Sequence, residues 1–151
     1  MDEREQIQRD KVIAIAREWL GTPYQARQCA RGRGCDCGSL LLGIFTEAGL
    51  VTKKHSLDYD WLAPWARRGG DALYVGSILE HCREIKPEEV KPGDVALYHI
   101  GRGWSHAALV IEWPSIVIHA IRSGGVVQST GSTGPLAGRE RRFFSPRGYE
   151  C

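Results

Sequence analysis

Arg33-Gly34-Cys35-Asp36-Cys37-Gly38-Ser39-Leu40-Leu41-Leu42-Gly43-Ile44-Phe45-Thr46-Glu47-Ala48-Gly49-Leu50 is the stretch around which the rest of the chain is ordered. Its apolar residues fall at Leu40, Leu41, Ile44, Phe45 and Ala48, one face of a 3.6-residue period with no strand-like alternation. Asp36 suits an N-cap and Gly49 a C′ position, which predicts a helix from about Cys37 to Ala48. The Cys37 thiol then sits in the first turn. Unpaired N–H groups and the positive end of the helix dipole favour thiolate over thiol there. Cys37 therefore reads as a nucleophile.

Working towards the N-terminus, Glu5 to Leu20 reads as an amphipathic helix whose apolar side is Val12, Ile13, Ile15, Ala16, Trp19 and Leu20. Gly21 ends it and Thr22-Pro23 prevents its continuation. Gly21 to Gly34 is a polar, Gly- and Arg-rich loop. Tyr24, in that loop, is either a packing aromatic or a hydroxyl aimed at the site, and position alone favours packing.

Working towards the C-terminus, an aromatic segment with Tyr59, Trp61, Pro64 and Trp65 leads to a predicted helix over Asp71 to Cys82. Leu73, Tyr74, Ile78, Leu79 and Cys82 share one of its sides. Pro87 to Asp94 is a turn segment. The texture then changes to strands: Val95 to Ile100, Ala107 to Trp113, Ile116 to Ile121, Val126 to Ser129, and a fifth at Arg142 to Phe144. Helices first and an antiparallel meander second predict an α+β domain with helices packed on one side of the sheet.

The chain has 151 residues, enough for one domain with a single core, and its 42% hydrophobic and 25% charged content is ordinary for a globular protein. The net charge of +2 gives no reason to expect nucleic acid, and the densest basic cluster, Arg139 to Arg142, reads as a solvated strand end. No apolar run reaches the ~18 residues of a membrane span. The polar start, Met1-Asp2-Glu3-Arg4-Glu5-Gln6, lacks the pattern of a signal peptide, which predicts a chain made in the cytoplasm. Five cysteines in no familiar disulfide spacing fit a reducing compartment.

A catalytic thiol needs a base within reach, and the base needs a group to hold its tautomer. Of the five histidines, His106 opens one strand and His119 lies in the next. Pro114-Ser115 joins those strands as a tight hairpin, so the two side chains can be near neighbours, with His106 as base and His119 as orienter. His55, His81 and His99 read as structural, and Cys29, Cys82 and Cys151 as inert thiols. Cys35 beside Cys37 is a weak metal signal, because structural zinc asks for paired motifs and no second pair exists. No metal and no cofactor are expected.

Five segments, in order, resemble the NlpC family of papain-like cell-wall cysteine peptidases, and its phage-tail branch most. They are Ala16 to Tyr24, Gly34-Cys35-Asp36-Cys37, Lys91 to Val95, Ser105 to Val110 and Ile118-His119-Ala120. The resemblance covers nearly the whole chain and implies the papain-like NlpC form of the α+β fold. It implies Cys37, His106 and His119 as the catalytic set, with Tyr24, Asp36 and Ser105 as substrate-binding or accessory groups. The family usually carries Gly two residues after the nucleophile, whereas Gly38 and Ser39 stand here in the reverse sense.

By the same resemblance the substrate is a peptidoglycan stem peptide, cut near the D-glutamyl–diamino acid junction. Phage tail-tip proteins are the expected partners, and action on the wall in the periplasm the expected setting, without membrane insertion. Two alternatives stand beside this one. The first is a structural tail-assembly protein with little activity; the second is a thiol acyltransferase or amidase on the same fold.

Overall fold

The computed structural model describes residues 1–51, 80–101 and 103–150. The aromatic segment and most of the helix expected over Asp71 to Cys82 lie outside them, as do His55 and Cys151. Two helices, α1 (Glu3–Glu18) and α2 (Cys37–Glu47), flank a two-stranded hairpin of β1 (Cys29–Ala30) and β2 (Gly34–Cys35). Six further strands follow: β3 (Cys82–Ile85), β4 (Val95–Ile100), β5 (Gly103–Glu112), β6 (Ile116–Ile121), β7 (Gly125–Ser129) and β8 (Arg141–Pro146). They form one antiparallel sheet in the order β3-β8-β4-β5-β6-β7. The fold is α+β. Among the described residues no helix is long and apolar enough to cross a membrane.

α1 begins two residues earlier than its apolar pattern suggests. Asp2 is the N-cap, its carboxylate accepting from the Glu5 N–H at 2.8 Å, and Glu3 and Glu5 complement the dipole. Trp19 is the C-cap, so Leu20 falls outside the helix and is exposed. The chain then turns at Gly21 (φ +87°), whose N–H reaches the Val126 carbonyl, while the Val126 N–H returns to Thr22. The end of α1 is thereby tied to β7.

α2 matches its expected span to within one residue, and every residue from Cys37 to Phe45 is buried. Asp36 and Ser39 form a capping box: Ser39 N–H donates to the Asp36 carboxylate at 2.9 Å and Asp36 N–H to the Ser39 hydroxyl at 2.8 Å. Gly43 has a packing reason. A Cβ there would lie 2.7 Å from the Trp19 ring, so only glycine lets α1's terminal indole rest on α2.

The sheet corrects two expectations. Cys82 opens a strand instead of closing a helix, and β8 does not continue the meander beyond β7. It returns to lie between β3 and β4. Phe143 and Phe144 explain why: one is buried on each face of the sheet, which suits an interior strand and not an edge. The face carrying Val95, Leu97, Leu109, Ile118 and Phe144 packs with the helices, and the face carrying Ala96, Tyr98, Val110, Val117 and Phe143 forms a second apolar cluster.

Pro92-Gly93-Asp94 is more than a turn. Arg9 of α1, 3% exposed, donates to the Pro92 carbonyl at 2.9 Å and to the Asp94 carboxylate at 2.8 Å, and Ser145 of β8 donates to the same carboxylate at 2.7 Å. Gly93 holds φ +95°, and its carbonyl accepts the Tyr149 hydroxyl at 2.8 Å. Three distant segments are thus fastened at one buried ion pair.

Candidate active site

Three local devices bring the predicted site residues together. The first is the amino end of α2, which carries Cys37 at the first helical position. The second is a bridge in the preceding loop. Cys35 N–H donates to Pro23 and Gln25 N–H to Cys35, which pairs Tyr24 with Cys35 two residues before the nucleophile. The third is a β-bulge. Tyr98 pairs with His106 but His99 pairs with Trp104, leaving Ser105 as the extra residue of β5. Its carbonyl accepts the Cys37 thiol at 3.7 Å, and its hydroxyl donates to the Ile100 carbonyl at 3.2 Å.

The strand containing His106 begins at Gly103, earlier than expected, so His106 lies within β5. Leu109 pairs with Ile118 and Val110 with Val117, so continuing that register puts His106 opposite Ile121, diagonal to His119 on the same face. Nε2 of His106 and Nδ1 of His119 are 2.7 Å apart. Beyond them, the Ser129 hydroxyl of β7 lies 2.8 Å from His119 Nε2 and 3.4 Å from the Thr130 carbonyl.

One of the two polarities open to this chain leaves a base. With the Ser129 proton directed to Thr130, its oxygen accepts from His119 Nε2–H. His119 Nδ1 then accepts from His106 Nε2–H, and His106 Nδ1 is left with the lone pair. That tautomer is a base; the reversed chain would place a proton on Nδ1 and is not.

Burial pushes His106 down to about 4, with the neighbouring His119 adding to the effect, and burial also lowers His119. Both rings are therefore neutral at pH 7. Burial likewise holds other thiols protonated: Cys29 is pushed up to about 11, and Cys35 and Cys82 to about 12, with the Asp36 charge adding at the first two and Asp94 at the third. Burial raises Tyr24 first, with Cys37 and Asp36 adding and Arg122 opposing.

Cys37, Tyr24, Ser105, His106 and His119 line one cleft of roughly 540 Å³, together with Arg122, Pro135, Leu136 and Arg139. Among the described residues, a cavity of roughly 270 Å³ beside Arg9 and Asp94 is lined by neither Cys nor His, so they supply no nucleophile–base pair there. Asp36, 4% exposed, uses one carboxylate oxygen for Ser39 N–H and the other for Arg27 N–H at 2.9 Å; it braces the loop and the helix start. Ser39 is fully buried and donates to the Gln28 carbonyl at 2.5 Å, so the reversed Gly38-Ser39 order serves the cap. Among the described residues no group of three or more His, Cys, Asp or Glu side chains is placed to hold a metal ion.

Sequence reasoning missed Ser129, Arg122 and Arg139. Only the alternation of Val127 and Ser129 along β7 could have placed Ser129 on the face of His119, since Val127 pairs with His119 itself. Arg139, read as part of a solvated strand end, stands on the cleft wall.

Solved structures with the same fold include an NlpC/P60 family protein from Bacillus cereus ATCC 10987 (TM-score 0.63, 19% identity, 89% of this chain and 39% of that one). The NlpC/p60 domain of the peptidoglycan hydrolase SagA aligns over 89% of this chain and 96% of its own at 18% identity, with a TM-score of 0.57. The peptidoglycan hydrolase RipB from Mycobacterium tuberculosis aligns over 96% and 68% at 22% identity, with a TM-score of 0.60. The chain spans about two fifths of the Bacillus cereus protein and 43% of NlpC1 from Trichomonas vaginalis. No curated protein matches it in sequence. The profile of the NlpC/P60 family, however, matches residues 21–141, from the turn after α1 to the start of β8, and the chain belongs to that family.

Proposed function

We propose that this protein is a cysteine hydrolase that cleaves an amide bond in peptidoglycan stem peptides, near the D-glutamyl–diamino acid junction. The observation that carries the reading is the hydrogen-bonded His106–His119–Ser129 chain, both of whose histidines line the cleft of Cys37 and one of whose polarities leaves a lone pair on His106 Nδ1. The names of SagA and RipB as peptidoglycan hydrolases support the choice of substrate.

His106 Nδ1 takes the Cys37 proton as sulfur attacks the amide carbon, forming a C–S bond and an oxyanion. The Cys37 backbone N–H, at the start of α2, serves as an oxyanion donor, a contribution worth ~3 kcal/mol where one such donor is lost. Collapse breaks the C–N bond, and His106 returns its proton to the leaving amine. Water, deprotonated by His106, then hydrolyses the thioester and restores the thiol. Tyr24 and Ser105 shape the cleft beside the reacting atoms.

As part of the same proposal, the protein is carried by a phage tail, with tail-tip proteins as partners, and meets the wall in the periplasm. The similarity of its motifs to the phage-tail branch supports this assignment. The test of the reaction is mass analysis of defined muropeptides after incubation with the wild type and Cys37→Ala. Stem cleavage by the wild type alone supports the hydrolase. Intact muropeptides with a folded wild type reject it in favour of a structural role, and transfer of the acyl group to an added amine without hydrolysis identifies an acyltransferase. For delivery, the protein should be present in purified tail particles, and its absence there removes the tail assignment.

A further inference from the structure

The cleft around Cys37 has a one-sided charge. Arg122 follows the last residue of β6, Arg139 precedes β8, and both guanidinium-bearing side chains line the cleft while remaining exposed. Among the described residues no Asp or Glu lines it. The neighbouring arginines are occupied: Arg142 forms a two-pronged ion pair with Glu84, and Arg141 donates to the Gly131 carbonyl and stacks near Tyr98 and Trp113. Arg122 and Arg139 make no ion pair among the described residues, and Arg122 lies 6.0 Å from the centroid of the Tyr24 ring. Among the described residues that line the cleft, Arg122 and Arg139 are the charged side chains, and both are cations.

We infer that Arg122 and Arg139 form a carboxylate subsite on the wall of the cleft, so that the substrate carries a free carboxylate near its scissile amide and is selected over its amidated form. A guanidinium fork fits a carboxylate in two parallel hydrogen bonds, and two forks on one wall can share its four lone-pair sites. A low-dielectric cleft lined by one sign of charge also concentrates anions at the nucleophile. The inference rests on the hydrolase reading for its substrate: a glutamyl residue linked through one carboxyl group keeps the other free.

The first measurement needs no substrate. The rate of Cys37 alkylation by iodoacetate is divided by that for iodoacetamide, in the wild type and in Arg122→Gln, Arg139→Gln and the double variant. In each reaction the sulfur displaces iodide to form a thioether, so thiolate fraction and access cancel in the ratio and the field at the thiol remains. The ratio should fall by about tenfold in the double variant at low salt, and the difference should shrink as salt is added. A ratio equal to that of the wild type overturns the subsite. Both side chains are exposed, so neither substitution removes core packing.

The second measurement compares kcat/KM on a stem peptide with a free carboxylate and on the same peptide with a carboxamide there. The wild type should prefer the acid and the double variant should lose that preference. Cleavage of both peptides with no preference in the wild type overturns the substrate assignment. If neither peptide is cut while the alkylation ratio responds, the hydrolase reading fails and the anion subsite stands. If the peptides are cut while neither ratio nor preference responds, the subsite fails and the hydrolase stands.

Discussion

His106 can take the thiol proton only through Nδ1, because Nε2 is committed to His119 at 2.7 Å. Each partner further along the chain is therefore a constraint on where one proton sits. His106→Gln removes the base and should lower turnover by ~10²–10⁴-fold, as His106→Ala should. His119→Gln should retain much more activity than His119→Ala, since an amide can accept from His106 and donate to Ser129. If a folded His119→Gln is as inactive as His106→Gln, His119 exchanges protons directly. Ser129→Ala loses one hydrogen bond worth about 1 kcal/mol, or about fivefold in kcat, and Ser129→Thr should restore it. The pH profile is a further check. A base pushed down to about 4 stays neutral well below its ordinary 6.5, so the acid limb of kcat/KM from His106 should lie near 4. The folded state resists this proton and the unfolded chain accepts it near 6.5. Stability tied to His106 is thus complete above 6.5 and is lost as pH falls towards 4.

At the scale of the element, the Ser105 bulge decides where the nucleophile's hydrogen bond goes. Tyr98 and His99 are consecutive on β4, while their partners His106 and Trp104 are separated by Ser105. Deleting Ser105 would therefore leave an unbroken ladder and remove the carbonyl that meets Cys37. The deletion should unfold at a temperature equal to or above that of the wild type, yet turn over muropeptides far more slowly. Retained turnover would show that the bulge is incidental. No sequence pattern announces a bulge, because a single inserted residue changes pairing without changing composition. α2 was legible because its signals are local: a capping residue at Asp36, a 3.6-residue period, and a glycine at position 49 with φ +82°. α1 was less so, since its first turn is polar and only the Asp2 cap marks its start. His106 and His119 were legible as a pair because a short turn transmits register over a short distance, although the turn has three residues, Trp113 to Ser115, and the pairing slips by one between Val110 and Glu112.

At the scale of the whole molecule, strand order was not legible. β8 pairs with β3 and β4 across more than forty residues of chain, and no local period encodes such a choice. What specifies it is long-range: phenylalanines buried on both faces, and Ser145 meeting Asp94 and Arg9. This junction carries the last prediction. The Arg9 and Asp94 side chains are 4% and 1% exposed, so their charges are sustained by each other, by Ser145, and by the Lys91 N–H at 2.9 Å. Arg9→Met fills the space with an apolar chain but leaves the Asp94 carboxylate buried without its cation. Such one-sided losses cost about 3–5 kcal/mol, against a total stability of about 5–15 kcal/mol. Thermal unfolding should fall by roughly 10 °C, at about 2–4 °C per kcal/mol for a chain of this size. Arg17→Met, on the exposed side of the same helix, removes a similar charge and should stay within about 0.5 kcal/mol of the wild type. Arg9 and Asp94 share no residue with the cleft of Cys37, so the surviving folded fraction of Arg9→Met should keep its turnover. An Arg9→Met protein as stable as Arg17→Met would mean that the ion pair does not fasten α1, the Pro-Gly-Asp turn and β8 together.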